Sequence, residues 1–311
     1  MDSSLEITTI LTNKIKAKAL ELGFAACGIA IAQELSDEIG YLENWLHQGF
    51  QAEMTYMQRN IEKRLNPTLL EEGTKSIIVV LIPYPSILQQ KADSPKIARY
   101  AQTIDYHEPI RKKLYELYGY IKETTGDETL RGRAFTDSAP ILERAWAIRA
   151  GLGWQGKNGL LINKKLGSYF LIGELLINIP LIADKPFTQS FCGQCTRCIQ
   201  ACPSQAIVKK YTVNARLCLS YRTIEQKNTP EVTTESLHGR LFGCDICQEV
   251  CPWNVKPKLV SPDWLPLLDA KFPQSVTEWK ALNENDFKQQ FSQSALLRTG
   301  YPRLMHNLDL L

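Results

Sequence analysis

The stretch FCGQCTRCIQACPS, residues 191–204, carries four cysteines at the spacing C-x2-C-x2-C-x3-C-P. This is the spacing of bacterial ferredoxins, in which three cysteines bind one [4Fe–4S] cluster and the fourth binds its neighbour. Four thiolates also suit a structural zinc ion, although zinc motifs rarely show this run with its closing proline. The stretch therefore predicts a ferredoxin-like module with two [4Fe–4S] clusters, and a pair of structural zinc sites is the alternative.

A second motif supplies the remaining ligands. LFGCDICQEVCPW, residues 241–253, again ends its cysteines with a proline, but Leu241 stands where a full repeat would have its first cysteine. Cys218 is the obvious substitute. The two-residue spacers let three thiolates converge on one face of a cube, while the cysteine before the proline points toward the other cluster. Cluster 1 is therefore assigned Cys192, Cys195, Cys198 and Cys251, and cluster 2 is assigned Cys202, Cys218, Cys244 and Cys247.

The bulk composition excludes a membrane span. Of the 311 residues, 44% are hydrophobic and 22% are charged, as in an ordinary soluble globular protein. The first 20 residues predict a polar amphipathic helix with no signal-peptide core, and the longest apolar run, 77–83, is too short to cross a bilayer. Eight clustered cysteines favour metal binding in a reducing compartment. We expect a cytoplasmic monomer, and the net charge of +3 does not by itself point to nucleic acid.

Alternating helical and apolar segments precede the cysteine region. Helical spacing of apolar residues predicts helices over 5–22, 34–48, 108–123 and 140–150. Apolar runs predict strands over 24–31, 76–84, 130–135, 159–163 and 168–178. The alternation is typical of an α/β (or α+β) domain. We predict this domain over 1–185, the two-cluster module over 186–256, and a short loop and helix tail over 257–311.

The glycine-rich loop GLGWQGKNG, residues 151–159, fits two nucleotide-binding patterns, G-x-G-x-x-G and G-x-x-x-x-G-K. Both patterns need a strand before the first glycine and a helix after the last. Here a predicted helix comes first and a predicted strand follows, and Asn158 lacks the hydroxyl that the second pattern requires. Gly151 is better interpreted as a helix C-cap, and the glycines let the backbone approach a large ligand closely.

Three segments outside the cysteine motifs carry a family resemblance. Residues 56–67 (YMQRNIEKRLNP), 97–114 (IARYAQTIDYHEPIRKKL) and 132–162 (GRAFTDSAPILERAWAIRAGLGWQGKNGLLI) together resemble the epoxyqueuosine reductases, which are related to the reductive dehalogenases. The resemblance covers nearly the whole chain. It implies cobalamin beside the two clusters, and reduction of epoxyqueuosine to queuosine at the wobble position of tRNA. The alternatives are a reductive dehalogenase of a small organic halide and a non-catalytic iron–sulfur electron-transfer protein.

The resemblance also implies roles for individual residues. Asp137 would be the proton donor to the departing epoxide oxygen, and its alternative is a helix N-cap ahead of Pro140, a task we assign to Ser138. The cobalamin would be base-off without a histidine ligand, since Ile110 breaks the D-x-H-x-x-G pattern that begins at Asp105. The residues expected to line the cobalamin or substrate pocket are Arg99, Tyr100, Asp105, Tyr106, His107, Ser138, Trp154, Lys157 and Asn158. A buried core histidine and a surface lysine are the alternatives for His107 and Lys157.

Expected partners are tRNA and an unidentified low-potential electron donor. Many family members continue into a C-terminal helical-repeat domain, which we expect to be absent here. The basic residues of another candidate RNA surface are Lys209, Lys210, Arg216, Arg222 and Lys227. Their segment, 209–227, contains one acidic residue, Glu225. Tyr211 and Tyr221 are interleaved with the basic residues and could stack on splayed bases. A solvated charged face is the alternative.

Overall fold

The apolar runs of the first 185 residues form a sheet with helices on both faces. The computed structural model describes residues 3–85, 90–91, 93–227, 236–255, 259–268 and 272–311. The strands are β1 (Ala26–Ile31), β2 (Ser76–Pro83), β3 (Lys96–Ile97), β4 (Gly132–Phe135), β5 (Trp154–Gln155), β6 (Leu161–Ile162), β7 (Phe170–Ile177), β8 (Ile207–Lys209), β9 (Thr212–Val213) and β10 (Arg240–Phe242). The α-helices are α1 (Ser3–Glu21), α2 (Ser36–His47), α3 (Ile61–Leu65), α4 (His107–Thr125), α5 (Glu143–Arg149), α6 (Arg197–Ala201), α7 (Leu219–Ile224), α8 (Ile246–Glu249), α9 (Val276–Lys280), α10 (Glu284–Gln290) and α11 (Tyr301–Asp309).

The central sheet has the strand order β1-β2-β7-β4, and its three pairings are all antiparallel. Every residue of β2 is buried, as the continuous apolar run 76–84 predicts. Alternation of helices and strands suggests a parallel α/β sheet, but the pairing makes this domain α+β. An antiparallel strand can also be buried on both faces when helices cover each side.

Alternate residues of β2 enter two separate cores. On one face Ile78 and Val80 pack with α1 and α4 through residues such as Ile15 and Leu114. On the other face Val79 and its neighbours pack with α2 and α5, where Trp146 is fully buried. Burying side chains of this size contributes roughly 1.5–3 kcal/mol each, so both helix layers are firmly tied to the sheet.

Most predicted elements of this domain are confirmed, with two differences. The helices predicted over 5–22, 34–48 and 108–123 are α1, α2 and α4. The helix predicted over 140–150 begins only at Glu143, because residues 136–142 form an irregular loop. The strand predicted over 159–163 shortens to β6, which pairs with β5 in a separate hairpin and does not join the central sheet.

The cysteine region and the tail pack against the first domain. β10 pairs with β3 in parallel, and a third core joins Ile97 and Phe242 to Trp279, Phe287 and Leu304 of the tail. Contacts therefore cross both predicted boundaries, at 185/186 and at 256/257, and the three-domain division stays a prediction. Within the described ranges, no helix combines the length and apolar character that crossing a membrane requires.

Candidate active site

A strained loop presents Asp137 at the end of β4. Its backbone lies in the left-handed region, with φ of 55°, a conformation that is uncommon outside glycine and costly to hold. Two hydrogen bonds fix the loop. Thr136 Oγ1 donates to the carbonyl of Ile172 at 2.8 Å, and the backbone N–H of Asp137 donates to Oε1 of Glu143 at 2.6 Å. The Asp137 carboxylate is thus aimed by its own backbone and by α5.

Neither residue expected to cap α5 does so. Leu142 occupies the N-cap position and makes no side-chain capping bond. Ser138 Oγ donates to the carbonyl of Thr136 at 3.3 Å instead. The N-cap interpretation is therefore wrong for both Asp137 and Ser138, since the helix begins several residues later than the sequence predicts.

Three side chains converge on one oxygen of Asp137. Oδ2 accepts a hydrogen bond from the Tyr106 hydroxyl at 3.1 Å and another from Arg298 Nη1 at 3.1 Å, and it lies 3.1 Å from His107 Nε2. Burial opposes ionisation of Asp137, but the hydrogen bonds from His107 and Arg298 outweigh it and lower the pKa of Asp137 to about 2. Asp137 is ionised at neutral pH, and 46% of its side chain remains exposed to an incoming ligand.

His107 lies between two carboxylates. Its Nδ1 is 2.5 Å from Oδ1 of Asp105, and its ring stacks on Tyr106 with 4.2 Å between centroids. Burial lowers the pKa of His107, but hydrogen bonds to Asp105 and Asp137 outweigh this and raise it to about 9. The hydrogen bond from His107 in turn lowers the pKa of Asp105. At neutral pH the mobile proton of this group therefore resides on His107 rather than on Asp137. The core-histidine alternative is not what the structure shows, because His107 is part of an ion-paired group.

Arg298 is the member of this group that the sequence does not reveal. It comes from a short 3-10 helix, Ala295–Arg298, and lies 161 positions away from Asp137 in the chain. Its Nη1 is also 3.0 Å from His107 Nε2. A neutral His107 can accept that hydrogen bond, and a protonated His107 can share Oδ2 of Asp137 with Arg298. No motif marks this arginine, because its position depends on how the tail folds back.

Aromatic side chains wall the group. Tyr100 packs edge-on against Tyr106, with 6.1 Å between ring centroids. Burial raises the pKa of both tyrosines, so both phenols keep their protons. Arg99 faces elsewhere: its guanidinium stacks over Tyr169 at 4.6 Å and its backbone N–H donates to Asp245. The structure brings Tyr100, Asp105, Tyr106 and His107 together with Asp137, but it does not bring the Arg99 side chain there.

Behind Asp137 lie two acids that the sequence analysis did not single out. Burial, followed by the charge of Asp137, raises the pKa of Glu143 to about 7. Glu174 on β7 is fully buried, and neither of its carboxyl oxygens has a hydrogen-bond partner. Burial raises the pKa of Glu174 well above its ordinary value, followed by the charges of Glu143 and Asp137. Burial without a hydrogen-bond partner therefore favours the neutral form of Glu174.

The glycine loop has a structural reason that is unrelated to nucleotides. The C-cap of α5 is Ala150, and Gly151 directly after it has a φ of 72°, so the predicted left-handed glycine at the end of the helix is confirmed one position beyond the cap. A Cβ on Gly153 would lie 2.2 Å from the carbonyl oxygen of Ile162 across the β5–β6 hairpin. Only glycine lets the two strands approach this closely.

Lys157 and Asn158, at the tip of that hairpin, reach the cysteine loops. Lys157 is 3% exposed, and its Nζ donates to the carbonyls of Gly193 at 2.6 Å and Cys195 at 2.8 Å, so the surface-charge alternative is wrong. Burial raises the pKa of Cys247, and a hydrogen bond to Asn158 opposes that rise. Trp154 stacks on Phe187 beside Cys192 and Cys251. A corrin contact for Trp154, Lys157 and Asn158 stays a prediction.

The eight clustered cysteines fall into two neighbourhoods. A cavity of about 210 Å³ is lined by Cys192, Cys195, Cys198 and Cys251. The other four influence one another electrostatically: burial raises the pKa of Cys218, Cys244 and Cys247, and nearby thiolates add to each rise, with Cys202 acting on Cys218. These are the two sets that the spacing predicts. No three His, Cys, Asp or Glu side chains in the described parts of the chain converge as ligands of a single metal ion would.

The basic residues expected to contact RNA lie on β8, on the β8–β9 turn and near α7. Lys209, Lys210, Arg216 and Lys227 are exposed, and Arg222 is half-buried. Tyr221 is not available for stacking, because it is 7% exposed and its hydroxyl is hydrogen-bonded to Glu53. The surface keeps its positive charge but loses one of its two aromatic platforms.

Known proteins resemble this chain over almost all of its length. The family described as "4Fe-4S double cluster binding domain" matches residues 191–254, and "Epoxyqueuosine reductase QueG, DUF1730" matches residues 64–138. An epoxyqueuosine reductase of Cyclobacterium marinum is 42% identical, covering 96% of this chain and 95% of that protein. An epoxyqueuosine reductase solved with an epoxyqueuosine-modified tRNA-Tyr stem loop superposes with a TM-score of 0.82 at 28% identity, over 97% of this chain and 80% of that one. The Bacillus subtilis enzyme, solved with an aspartate-bearing catalytic loop swung out of its active site, gives a TM-score of 0.81 at 28% identity over the same shares.

Proposed function

Because the chain belongs to the epoxyqueuosine reductase family, we propose that it reduces epoxyqueuosine in tRNA to queuosine. The reaction consumes two electrons and two protons. Both carbon–oxygen bonds of the epoxide break, a carbon–carbon double bond forms, and the oxygen leaves as water. Two clusters can deliver the electrons one at a time, and the protein must supply protons to the departing oxygen.

One observation carries this proposal: Tyr106, His107 and Arg298 all converge on Oδ2 of Asp137, whose side chain remains 46% exposed. General acid catalysis requires a proton stored within reach of the reacting oxygen. His107 holds that proton at neutral pH, with its Nε2 3.1 Å from Oδ2 of Asp137. Asp137 can receive the proton and pass it to an oxygen bound on its exposed side. Arg298 and Tyr106 keep the carboxylate in place during the transfer. Asp137 thus acts as the donor to substrate, and His107 acts as its proton store.

Cobalamin suits the residues around this group. Both ring nitrogens of His107 are engaged by neighbouring side chains, so a cobalamin without a histidine ligand is the form that fits. Gln51 Oε1 and Arg64 Nε are buried without partners on the segments next to Tyr56, where they can receive the polar amides of a corrin. When bound, cobalamin supplies the reducing centre for the substrate carbon, while the described side chains position the substrate and protonate it.

The tRNA substrate requires a basic surface next to this pocket. Arg216 and Tyr221 line an open cavity of about 430 Å³ together with Ala52, Glu53 and Gln226. Exposed Lys209, Lys210 and Lys227 lie on neighbouring parts of the same module and can hold the phosphate backbone. A tRNA substrate also places the proposed reaction in the cytoplasm.

The test is anaerobic incubation of the reconstituted protein with an epoxyqueuosine-containing stem loop, cobalamin and a chemical reductant. Mass spectrometry of the nucleosides should show queuosine, and omission of cobalamin should abolish it. Asp137→Asn should keep both clusters and lose turnover by about 10²–10⁴-fold, the usual contribution of a general acid. Asp127→Asn, which neutralises an aspartate in the loop after α4 whose Oδ1 accepts hydrogen bonds from Thr129, is the matched control and should be fully active. Wild-type activity in Asp137→Asn would contradict the assigned role.

A further inference from the structure

The cavity that holds the cluster 1 cysteines opens to the surface through an apolar rim. Phe191, 37% exposed, and Trp253 line it together with Arg197. Pro252 and Val255 continue the exposed apolar surface, and Val255 is 74% exposed. We use the name cluster-1 face for this surface.

Two lysines lie beside the cluster-1 face. Lys164 Nζ lies 4.0 Å from the centroid of the Phe191 ring, and its neighbour Lys165 is also exposed. The turn that carries Lys164 and Lys165 is joined to the segment after Cys251 by two hydrogen bonds. Ser168 N–H donates to Oδ1 of Asn254 at 2.7 Å, and Asn254 Nδ2 donates to Ser168 Oγ at 2.9 Å. The lysines are therefore held beside the apolar rim.

The segments that build this face contain no acidic residue. Neither aspartate nor glutamate occurs in residues 144–173, 185–224 or 250–255, whereas lysine or arginine occurs in the first two of these segments. A surface of one charge sign with an apolar centre attracts an oppositely charged partner and accelerates its encounter. The charge of this face therefore selects an acidic partner.

The two cysteine sets differ in position relative to Asp137. In the cluster 2 loop, Asp245 accepts a hydrogen bond from Arg99 N–H at 2.8 Å, next to Tyr100 of the candidate active site. A Cβ on Gly243 would lie 2.6 Å from Ala98, so that loop packs directly on the same segment. The cysteines assigned to cluster 1 instead line a cavity together with Phe191 and Trp253. Electrons that enter at cluster 1 would therefore reach the active site by way of cluster 2.

From these contacts we propose that the cluster-1 face is the docking site of a small acidic protein that carries one electron at low potential. The proposal rests on the function proposed above, and it adds the place of electron entry and the chemistry of the donor. In each encounter the donor is oxidised by one electron and cluster 1 is reduced by one. Two encounters supply the electrons for one epoxide. Transient electron-transfer complexes bury little area, which suits a face of this kind.

The test uses the reconstituted holoenzyme and an acidic flavodoxin as the probe. Lys164→Glu should raise the Kd for flavodoxin about tenfold at low salt, and the difference from wild type should shrink at high salt because surface charges are screened. Stopped-flow absorbance should show slower cluster reduction by flavodoxin hydroquinone. Reduction by the methyl viologen radical cation should be unchanged or faster. Lys112→Glu, an equal charge reversal on α4 across the sheet, is the control and should behave as wild type in both assays.

Two results would overturn the docking site. One is flavodoxin affinity in Lys164→Glu equal to that of wild type. The other is a loss of tRNA stem-loop affinity in that variant with unchanged flavodoxin binding, which would make the face an RNA surface. Failure of the reductase function itself is distinguishable, because wild type would then form no queuosine even with methyl viologen, while the flavodoxin binding assay needs no turnover.

Discussion

Replacing Asp105 with asparagine should shift the proton store of the candidate active site. The pKa of His107 rises from 6.5 to about 9, which corresponds to roughly 3 kcal/mol in favour of the protonated ring. The carboxylates of Asp105 and Asp137 raise the pKa of His107, although burial lowers it. Asp105 is the closer one, with Oδ1 2.5 Å from Nδ1, compared with 3.1 Å between Oδ2 of Asp137 and Nε2. Asp105→Asn removes the larger share. We expect the pKa of His107 to fall by about one to two units, to between about 7 and 8.

The assay is the pH dependence of kcat/KM with an epoxyqueuosine stem loop, which reports the apparent pKa values of the free enzyme. Wild type should lose activity as the pH rises through about 9, when the Asp105–His107–Asp137 group gives up its proton. The alkaline limb should move down by about one to two pH units in Asp105→Asn. The free energy of unfolding should also fall at alkaline pH. The stabilisation from charged His107 is complete below pH 6.5 and is lost as the pH rises through about 9.

Glu108→Gln is the matched control, because it removes an exposed carboxylate from the same helix, where Glu108 pairs only with Arg111 among the described ion pairs. Its alkaline limb should coincide with that of wild type. An unshifted limb in Asp105→Asn would refute the assignment of the titrating proton to His107. A limb that moves equally in both variants would refute it as well, since a general change in surface charge would then explain the shift.

Two further substitutions test the interior of the protein. Glu174→Gln should be more stable than wild type, and the difference in unfolding free energy should grow by about 1.4 kcal/mol per pH unit above pH 4.5, because the raised pKa of buried Glu174 makes wild type lose stability as the pH rises. Anaerobic thermal unfolding at about pH 5 and pH 8 measures this difference. Equal Tm differences at the two pH values would contradict the prediction. Cys218→Ser should lower the iron content from about eight to about four atoms per chain, because cluster 2 is lost and cluster 1 remains. Iron analysis combined with electron paramagnetic resonance measures this. An iron content equal to that of wild type would show that Cys218 is not a ligand.

Local patterns carried much of the prediction. The cysteine spacing predicts two sets of four ligands, and the structure gathers the same two sets of cysteines into two neighbourhoods. Short spacers keep neighbouring thiolates such as Cys192, Cys195 and Cys198 together, whereas Cys251 and Cys218 join their sets only through the fold. The long helices and the buried strand β2 were likewise predictable, because their apolar periodicity is an intrinsic property of the segments.

Other features were hidden because they depend on contacts between distant segments. The apolar runs predicted strands, but their antiparallel pairing depends on how the segments cross the sheet. Asp137 had been interpreted as either a cap or an acid, and only its left-handed backbone and the late start of α5 remove the cap. The sequence of the glycine loop matches two nucleotide-binding motifs. Its Gly153 is needed for another reason, because the two strands of a hairpin approach each other too closely there for a Cβ.

Cysteine spacing and local motifs act over a few residues, so the ligand type and the family of this protein could be predicted from them. The protonation of the active site depends instead on how the chain folds. Arg298 reaches Asp137 from 161 positions away, and the proton moves to His107 because Asp105 and Asp137 flank it in space. A pKa depends on burial and on charges within a few ångströms, and the chain sets those distances only when the tail packs against the first domain.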